Sequence, residues 1–177
     1  KGNAKEVNQL VKDLKEGKIH TLLMSGVNPV YTLPNSKDFV EGLKKTKLSV
    51  AFSMKEDETA SVSMIAAPTP HYLESWGDVT ITRGNYSIQQ PTINPLFDTK
   101  QFQEVLLALT DNPSSYYDYL KAIASSNLNG KSWNQVVHDG FATTQASALV
   151  ATSVDFSTSA TKLTQSKSTN FDLVLYT

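Results

Sequence analysis

The residues best suited to chemistry include His71 and Glu74, which stand three positions apart. An imidazole and a carboxylate at this spacing can share a metal ion in a helix, because residues three apart lie on one helix face. Pro70 precedes the pair and Gly77 follows it, and both residue types are typical of loops. We therefore expect His71 and Glu74 to hold an ordered loop by hydrogen bonds, and we predict no metal site.

Two further patterns are similar to reactive motifs but lack a required residue. Residues 129–132 (Asn-Gly-Lys-Ser) copy the end of a phosphate-binding loop, yet Ser125 stands where its first glycine belongs. Ser25 lacks the leading glycine of a nucleophile elbow. Only three histidines are available as bases for a Ser-His-Asp arrangement. The sequence therefore predicts no catalytic residue.

The turn formed by Gly26, Val27, Asn28 and Pro29 has two interpretations. It follows residues 19–24, an apolar run short enough to be a buried strand. Ligands of open α/β sheets bind beyond the carboxyl ends of such strands, so Asn28 is a candidate ligand contact. Alternatively, the Asn28 side chain bonds the local backbone of the turn and needs no ligand. The sequence favours the second interpretation and leaves the first open.

Composition excludes several classes of function. The 177 residues include 16 Lys and Arg against 17 Asp and Glu, and the single arginine leaves no basic stripe for nucleic acid. The absence of cysteine rules out disulfides, zinc thiolates, iron-sulfur ligation and thiol nucleophiles in this segment. The longest apolar runs are only a few residues, whereas a membrane span needs about 20. We predict neither a nucleic-acid partner nor a membrane span.

Hydrophobic spacing predicts an α/β fold with a mostly parallel sheet flanked by helices. Asn3 and Glu6 are spaced as the capping box of a first helix. The run from Ile19 to Met54 has the length of a βαβ unit, whose two strands are parallel. The predicted helices are 3–16, 36–45 and a short one at 59–63, and the predicted strands are 19–24, 48–54 and 64–67.

The second half of the chain is predicted to form a long loop bearing a hairpin, followed by a helical flank. Tyr116, Tyr117 and Tyr119 are expected to pack in a core or an interface. We predict an α/β domain over 1–141, a Ser/Thr-rich loop or linker over 142–170, and a last strand of the same domain over 171–177. Because the chain opens at Lys1 without a leader pattern, both ends are expected to be boundaries inside a longer protein. The predicted hairpin strands are 79–82 and 86–88, and the predicted helices are 99–109, 113–126 and 132–139.

Three motifs, taken in order, carry a family resemblance. They are Gly26-Val27-Asn28-Pro29, then Glu58-Thr59-Ala60 leading to Ala67-Pro68, then Leu73-Glu74-Ser75-Trp76-Gly77-Asp78. Over roughly residues 19–140 the chain resembles the molybdopterin oxidoreductases of the dimethyl sulfoxide reductase type. The sequences of residues 71–78, 89–91 and 94–99 are most similar to the molybdopterin-like region of the iron-sulfur subunit of bacterial alternative complex III.

The resemblance implies a doubly wound, molybdopterin-oxidoreductase-like domain. Gly26, Asn28, Pro29, Glu74 and Gly77 would lie where active relatives hold a molybdopterin guanine dinucleotide. Those relatives continue with an Asn-x-Glu-Gly-Arg stretch, whereas residues 82–86 read Thr-Arg-Gly-Asn-Tyr here. The five positions are therefore expected to be vestigial, with no cofactor in this segment.

The function that the resemblance implies is that of a non-catalytic scaffold. The parent would be a subunit of a respiratory complex that passes electrons from quinol to cytochrome c, on the periplasmic face of the bacterial inner membrane. Its partners would be other domains of that subunit and the membrane electron-transfer subunits. A competing hypothesis is the nucleotide-cofactor domain of an active molybdopterin oxidoreductase, with Asn28 holding the nucleotide. A third is an unrelated small-molecule-binding α/β domain that uses the same crevice.

Overall fold

The computed structural model describes residues 3–144 and 156–164 of the chain. Residues up to Gln145 form one compact unit and the later residues a second, and each unit is described by itself. None of the described helices is long and apolar enough to cross a membrane. The elements of the first unit are α1 (Ala4–Lys15), β1 (Thr21–Ser25), α2 (Pro29–Thr32), α3 (Ser36–Leu43), β2 (Leu48–Ser53), β3 (Ile65–Pro68), β4 (Gly77–Val79), β5 (Asn85–Gln89), α4 (Phe102–Leu109), α5 (Tyr116–Ala124), α6 (Trp133–Asp139) and β6 (Phe141–Thr143).

The first three strands form a parallel sheet in the order β1-β2-β3. Met24 lies beside Ala51, and Ala51 lies beside Ala66, so residues in register share one face. Parallel neighbours need a crossover connection, which α2 and α3 supply between β1 and β2. The predicted α/β fold with a parallel sheet is confirmed, although β1 starts two residues later than expected.

One face of this sheet packs against α1 and α3. Val11 and Leu14 of α1 and Phe39 of α3 are buried with Met24 and Ala51 of the strands. Burial of an apolar side chain of this size contributes about 1.5–3 kcal/mol, so this cluster accounts for the pairing of helices and sheet. The predicted capping box is present at Asn3, whose side chain accepts a hydrogen bond from the Glu6 amide at 3.0 Å.

The opposite face of the sheet carries Phe52. Successive strand side chains point to opposite faces, so Phe52 points away from the side that Ala51 packs on. Its ring lies against that of Phe102, with centroids 4.8 Å apart. The first turn of α4 therefore lies on the face opposite α1 and α3, which is the placement that a doubly wound fold requires.

A second, antiparallel sheet has the order β4-β5-β6 and packs on α5 and α6. The predicted hairpin exists, but its first strand was placed too late: Val79 is the last residue of β4 rather than the first. The alternation of Val79 and Ile81 suggested a strand, but β4 ends at Val79. Ile81 beyond it has no surface to pack on and is 84% exposed. The buried residues of this second core are Tyr86, Leu107, Tyr116, Leu120, Ala124, Leu128, Trp133, Val136 and Ala142.

The stretch predicted as a linker over 142–170 contains two elements. β6 includes Ala142 and Thr143 and pairs with β5, placing Ala142 opposite Tyr86. In the second unit, α7 spans Ser157–Thr164. A three-residue strand is too short to show a period, and a Ser/Thr-rich helix has too few apolar residues to show a stripe. The strand predicted over 171–177 lies outside the described residues.

The predicted helices of the flank are present but shorter. α4 begins at Phe102, and α5 begins at Tyr116 rather than near Pro113. Ser115 is the reason for the later start of α5, because its hydroxyl accepts a hydrogen bond from the Asp118 amide at 3.1 Å. α6 follows its predicted cap, Ser132, which accepts from the Gln135 amide at 3.2 Å.

Candidate functional site

A cleft of about 740 Å³ opens at the carboxyl edge of the parallel sheet. This is the edge at which ligands of open α/β sheets bind. The cleft is bounded on one side by the residues that leave the three strands and on the other by the loop after Pro70 and the start of α4. Its lining includes Ser25, Gly26, Phe52, Ser53, Met54, Lys55, Thr69, Pro70, Tyr72, Ser75, Trp76, Gly77, Gln89, Gln101, Phe102 and Gln103.

Gly26 turns the chain away from β1 at the rim of this cleft. Its φ is +65°, in the left-handed region that glycine adopts at little cost. A Cβ at this position would meet no atom within 4 Å, so the backbone angle and not the available space favours glycine. Its amide donates to the Phe52 carbonyl at 3.4 Å, which ties the turn to the end of β2.

Asn28 is held by two side chains from the connection between β2 and β3. Its Oδ1 accepts a hydrogen bond from the Thr59 hydroxyl at 2.7 Å, and its Nδ2 donates to Glu58 Oε2, also at 2.7 Å. The hydrogen bond from Asn28 lowers the pKa of the Glu58 carboxyl below its usual value, because it favours the charged form. The Asn28 side chain therefore bonds Thr59 and Glu58 and not the local backbone that the sequence favoured.

Thr59 joins two of the sequence motifs. It is fully buried, and its hydroxyl accepts a hydrogen bond from the Val30 amide at 3.1 Å while donating to Asn28. Pro29 occupies the first turn of α2, where its missing N–H leaves no donor without a partner. The β1–α2 turn is thus anchored to the β2–β3 connection by a side-chain network.

Glu74 and His71 close a 3-10 turn on the other side of the cleft, spanning Tyr72–Glu74. Glu74 Oε2 accepts from the His71 amide at 3.2 Å, and His71 Nδ1 accepts from the Leu73 amide at 3.3 Å. The two side chains therefore form a reciprocal cap, as predicted for an ordered loop. Among the described residues, no group of three or more His, Cys, Asp or Glu could hold a metal ion.

Gln89 fixes this turn to the second sheet. Its Nε2 donates to the carbonyl of Tyr72 at 2.8 Å and to that of Ser75 at 3.1 Å. Gly77 pairs with Gln89 in the β4–β5 ladder and would tolerate a Cβ at ordinary contact distance, 3.7 Å from the Gln89 amide. The Gln89 amide is therefore committed to holding the wall of the cleft.

Aromatic rings form the rest of that wall. Trp76 lies 4.7 Å from Tyr117 between ring centroids, and Trp133 Nε1 donates to the Tyr117 hydroxyl at 3.1 Å. Gln101 Nε2 donates to the Trp76 carbonyl at 2.8 Å, which attaches the cap of α4 to the same loop. The predicted packing role of Tyr116 and Tyr117 agrees with their positions in and against the second core, whereas Tyr119 lies outside that core and is 38% exposed.

The cleft is poor in charge. Among the residues that the structure describes, Lys55 is the only cation that lines it, and no carboxylate does. The other polar side chains are hydroxyls, side-chain amides and the Trp76 indole, of which the Gln89 amide donates to two backbone carbonyls and the Gln101 amide to one. The site can therefore make few charged contacts with a ligand, and its remaining donors are neutral.

The structure brings together two of the five predicted site residues. Gly26 and Gly77 line the cleft, whereas Asn28, Pro29 and Glu74 hold its rim from behind. Contact between these five residues and a cofactor remains a prediction. Most of the lining residues, including Lys55, Trp76 and Gln103, were not predicted as site residues from the sequence. Lys55 could have been predicted as a lining residue, because it follows a parallel strand. No local feature of the sequence marks Gln103 as a lining residue.

A parallel sheet with a cleft at its carboxyl edge and a glycine turn at the rim defines an open α/β domain of the ligand-binding type. The particular family follows from the sequence: the profile of the molybdopterin oxidoreductases matches residues 2–112. The chain therefore belongs to the molybdopterin oxidoreductase family, and the resemblance carried by its three motifs is confirmed.

Two relatives show how much of a family member this chain represents. The chain is 35% identical over 116 residues to the menaquinone reductase molybdopterin-binding-like subunit of Nitratidesulfovibrio vulgaris (strain Hildenborough), covering 60% of this chain and 17% of that subunit. Acetylene hydratase from Pelobacter acetylenicus has a similar fold, with a TM-score of 0.62 at 16% identity over 78% of this chain and 21% of that one. The chain thus spans about a fifth or less of each relative.

The family implies a pterin dinucleotide, whose pyrophosphate carries negative charge along its length. The residues present do not fit this group well. Within residues 3–144, Lys55 is the one cation at the cleft. The amides at the start of α2 are already used, with Val30 donating to Thr59 and Tyr31 to the Asn28 carbonyl. Binding a pyrophosphate with a single charge-assisted donor leaves its desolvation poorly offset.

Proposed function

We propose that this chain is part of a molybdopterin-oxidoreductase-like subunit of a respiratory, quinone-linked electron-transfer complex, and that it acts there as a non-catalytic scaffold. The observation that supports this is the cleft's lack of charge: among the described residues Lys55 is its only cation, and the Gln89 and Gln101 amides donate to protein backbone. The similarity to a menaquinone reductase subunit supports a quinone-linked parent.

We further propose that the parent complex is of the alternative complex III type, passing electrons from quinol to cytochrome c at the periplasmic face of the bacterial inner membrane. The sequence of residues 71–78 and 94–99, which resembles the iron-sulfur subunit of that complex, supports this finer assignment. Membranes from a strain lacking the parent gene should lose quinol:cytochrome c reductase activity, and the gene supplied in trans should restore it. Loss of menaquinone reduction with unchanged cytochrome c reduction would contradict the assignment.

The scaffold role is tested by metal and nucleotide analysis of the purified parent subunit. We expect molybdenum and tungsten far below one equivalent by inductively coupled plasma mass spectrometry, and no guanosine monophosphate after acid hydrolysis. A dimethyl sulfoxide reductase made in the same cells is the matched positive control, since it shows that the cells supply the cofactor. One equivalent of metal per subunit, together with one or two equivalents of guanosine monophosphate, would contradict the scaffold proposal.

A second function, the nucleotide-cofactor domain of an active oxidoreductase, is favoured by one observation. The cleft lies at the carboxyl edge of the sheet and has an aromatic wall at Trp76 and Tyr72, on which a base could stack. This function predicts stoichiometric nucleotide in the parent, and a nucleotide content that falls in Lys55→Ala but not in Lys37→Ala. The two proposals therefore give opposite results in one measurement.

A further inference from the structure

The outer edge of β1 has no strand neighbour among the described residues. The parallel sheet has the order β1-β2-β3, so β1 and β3 are its two edges. β1 reads Thr-Leu-Leu-Met-Ser and pairs in unbroken register, without the lysine, proline or bulge that natural edge strands use against unwanted pairing. Leu22 and Leu23 in it are only half-buried. β1 therefore has the composition of an interior strand, although it lies at an edge.

Alternate residues of β1 face this free edge. In a parallel ladder, one residue points its N–H and C=O to one neighbouring strand and the next residue points them to the other side. The Gly26 amide donates to the Phe52 carbonyl at 3.4 Å, and the His20 carbonyl accepts from the Leu48 amide at 3.1 Å. Even-numbered residues therefore face β2. The residues of β1 whose backbone groups face the free edge are Thr21, Leu23 and Ser25.

The outer edge of β3, in contrast, is closed at its end. The Thr69 amide donates to the Ser53 carbonyl at 3.1 Å, so the residue before it, Pro68, faces outward. Proline has no N–H to offer another strand. The Pro68 carbonyl already accepts from the Lys100 amide at 3.3 Å. Of the two edges, that of β1 is therefore the one suited to a further strand.

The packing of α1 indicates the side on which a preceding strand lies. α3 connects β1 to β2 and packs on the sheet face that carries Met24 and Ala51. α1 packs on the same face and directly against α3, with Lys15 Nζ 2.7 Å from Asp38 Oδ1. Connections between parallel strands are right-handed in about 98% of cases, so helices on one face carry the chain across the sheet in one direction. Since α3 carries it from β1 to β2, a strand that leads into α1 lies on the other side of β1, at the free edge.

We propose that the free edge of β1 pairs in parallel with a strand of the parent polypeptide that comes shortly before Lys1, with α1 as the crossover helix between the two. A parallel connection needs a dozen residues or more, which α1 and residues 16–20 supply. The two relatives are several times longer than the part that this chain matches, so a parent of their length has room for the strand. The inference requires such a longer parent but not the scaffold role.

This pairing has a consequence for the cleft. In parallel strands the carboxyl ends meet at one edge of the sheet, so the added strand ends beside Gly26. The residues that join it to α1 then border the cleft next to the Gly26 turn. The turn after β1 would lie inside the carboxyl edge of the sheet and not at its end.

Hydrogen exchange of the backbone amides tests the pairing without any substitution. The 177-residue chain is measured by NMR, and the purified parent subunit by mass spectrometry with electron-transfer fragmentation. We expect the Leu23 amide to exchange at least about 100-fold more slowly in the parent, because a ladder hydrogen bond must open before exchange. The Met24 amide faces β2 in both proteins and is the internal control, which should change far less. Equal exchange of Leu23 in chain and parent would overturn the proposal, as would new protection at Ala66 of β3 without any at Leu23.

Disulfide trapping in the parent subunit tests the direction of the added strand. This chain has no cysteine, and neighbouring strands lie about 4.7–4.9 Å apart, within the Cα separations that a disulfide spans. Leu23→Cys is combined with single cysteines along the apolar run that precedes α1 in the parent sequence, and linked pairs are identified by mass spectrometry. With Thr21→Cys instead, the linked position should move two residues toward the N terminus, as parallel pairing requires.

Ile81→Cys is the matched control for this trapping, because Ile81 is exposed and lies outside the parallel sheet. It should link to none of the upstream positions. A linked position that moves toward the C terminus would show antiparallel pairing and overturn the proposal. Links from Leu23→Cys that do not exceed those of Ile81→Cys would overturn it as well.

Discussion

Replacing Thr59 by Val should destabilise the chain more than its small chemical change suggests. Valine has nearly the same shape as threonine, so the substitution leaves no cavity at this fully buried position. It removes the hydroxyl that donates to Asn28 Oδ1 at 2.7 Å and accepts from the Val30 amide at 3.1 Å. The β1–α2 turn then loses both of its hydrogen bonds to this side chain.

The expected magnitude follows from the two bonds. Each hydrogen bond contributes about 0.5–1.5 kcal/mol net, and a buried partner left unsatisfied costs about 1–3 kcal/mol. Asn28 and Val30 are half-buried, so water can reach them in part and the lower ends of both ranges apply. We therefore expect Thr59→Val to lower the free energy of unfolding by about 2–3 kcal/mol.

Urea unfolding of the full chain, followed by circular dichroism and by tryptophan fluorescence, measures this change. Thr59→Ser is the matched control, since it keeps the hydroxyl, loses one buried methyl group and should cost about 1 kcal/mol. Asn28→Ala should lower the free energy of unfolding less in the Thr59→Val background than in the unchanged chain, because the two residues share a hydrogen bond. If Thr59→Val is no more destabilising than Thr59→Ser, the hydrogen bonds do not stabilise the turn and this reasoning is wrong.

Two further predictions concern packing and pH. A Cβ on Gly42 would lie 2.7 Å from Leu14 Cβ, so Gly42→Ala should lower the free energy of unfolding by about 1–2 kcal/mol despite its better helix propensity, whereas Gly77→Ala, whose Cβ meets only ordinary contacts, should not. Burial and a hydrogen bond to Asp78 raise the pKa of Tyr86 above its usual range. Stability from this residue is therefore present below pH about 10 and is lost as the pH rises further, and urea midpoints of Tyr86→Phe should lack that alkaline decline.

The parallel half of the fold was predictable because its signals are local. Apolar runs of four to six residues, separated by a helical stripe, led to β1, α3 and β2 with errors of one or two residues. The turn at Gly26 was also predictable, since a strand followed by Gly-x-Asn-Pro must leave the sheet there. These elements depend on neighbours in sequence, and such neighbours are visible without coordinates.

The antiparallel sheet and the cleft were less predictable because they depend on distant residues. β6 joins β5 across more than fifty residues of chain, and its three residues carry no period of their own. The partners of Asn28 lie thirty residues away, at Glu58 and Thr59. The sequence identified all three residues as motif members but showed no reason for them to meet, and so the Asn28 side chain was assigned to the wrong partner.

The division between supporting and lining residues shows how the family fold could persist if its ligand chemistry changed. Asn28, Thr59 and Glu74 hold the rim through bonds within the protein, so their loss would affect the fold whether or not a ligand binds. Lys55 lines the cleft and takes part in no ion pair among residues 3–144, so its replacement would change ligand binding with little effect on folding. Selection for a stable scaffold alone would therefore retain the motif residues and leave the lining free to change. Under the scaffold role proposed above, such selection would produce intact motifs beside a cleft that has a single cation among the described residues.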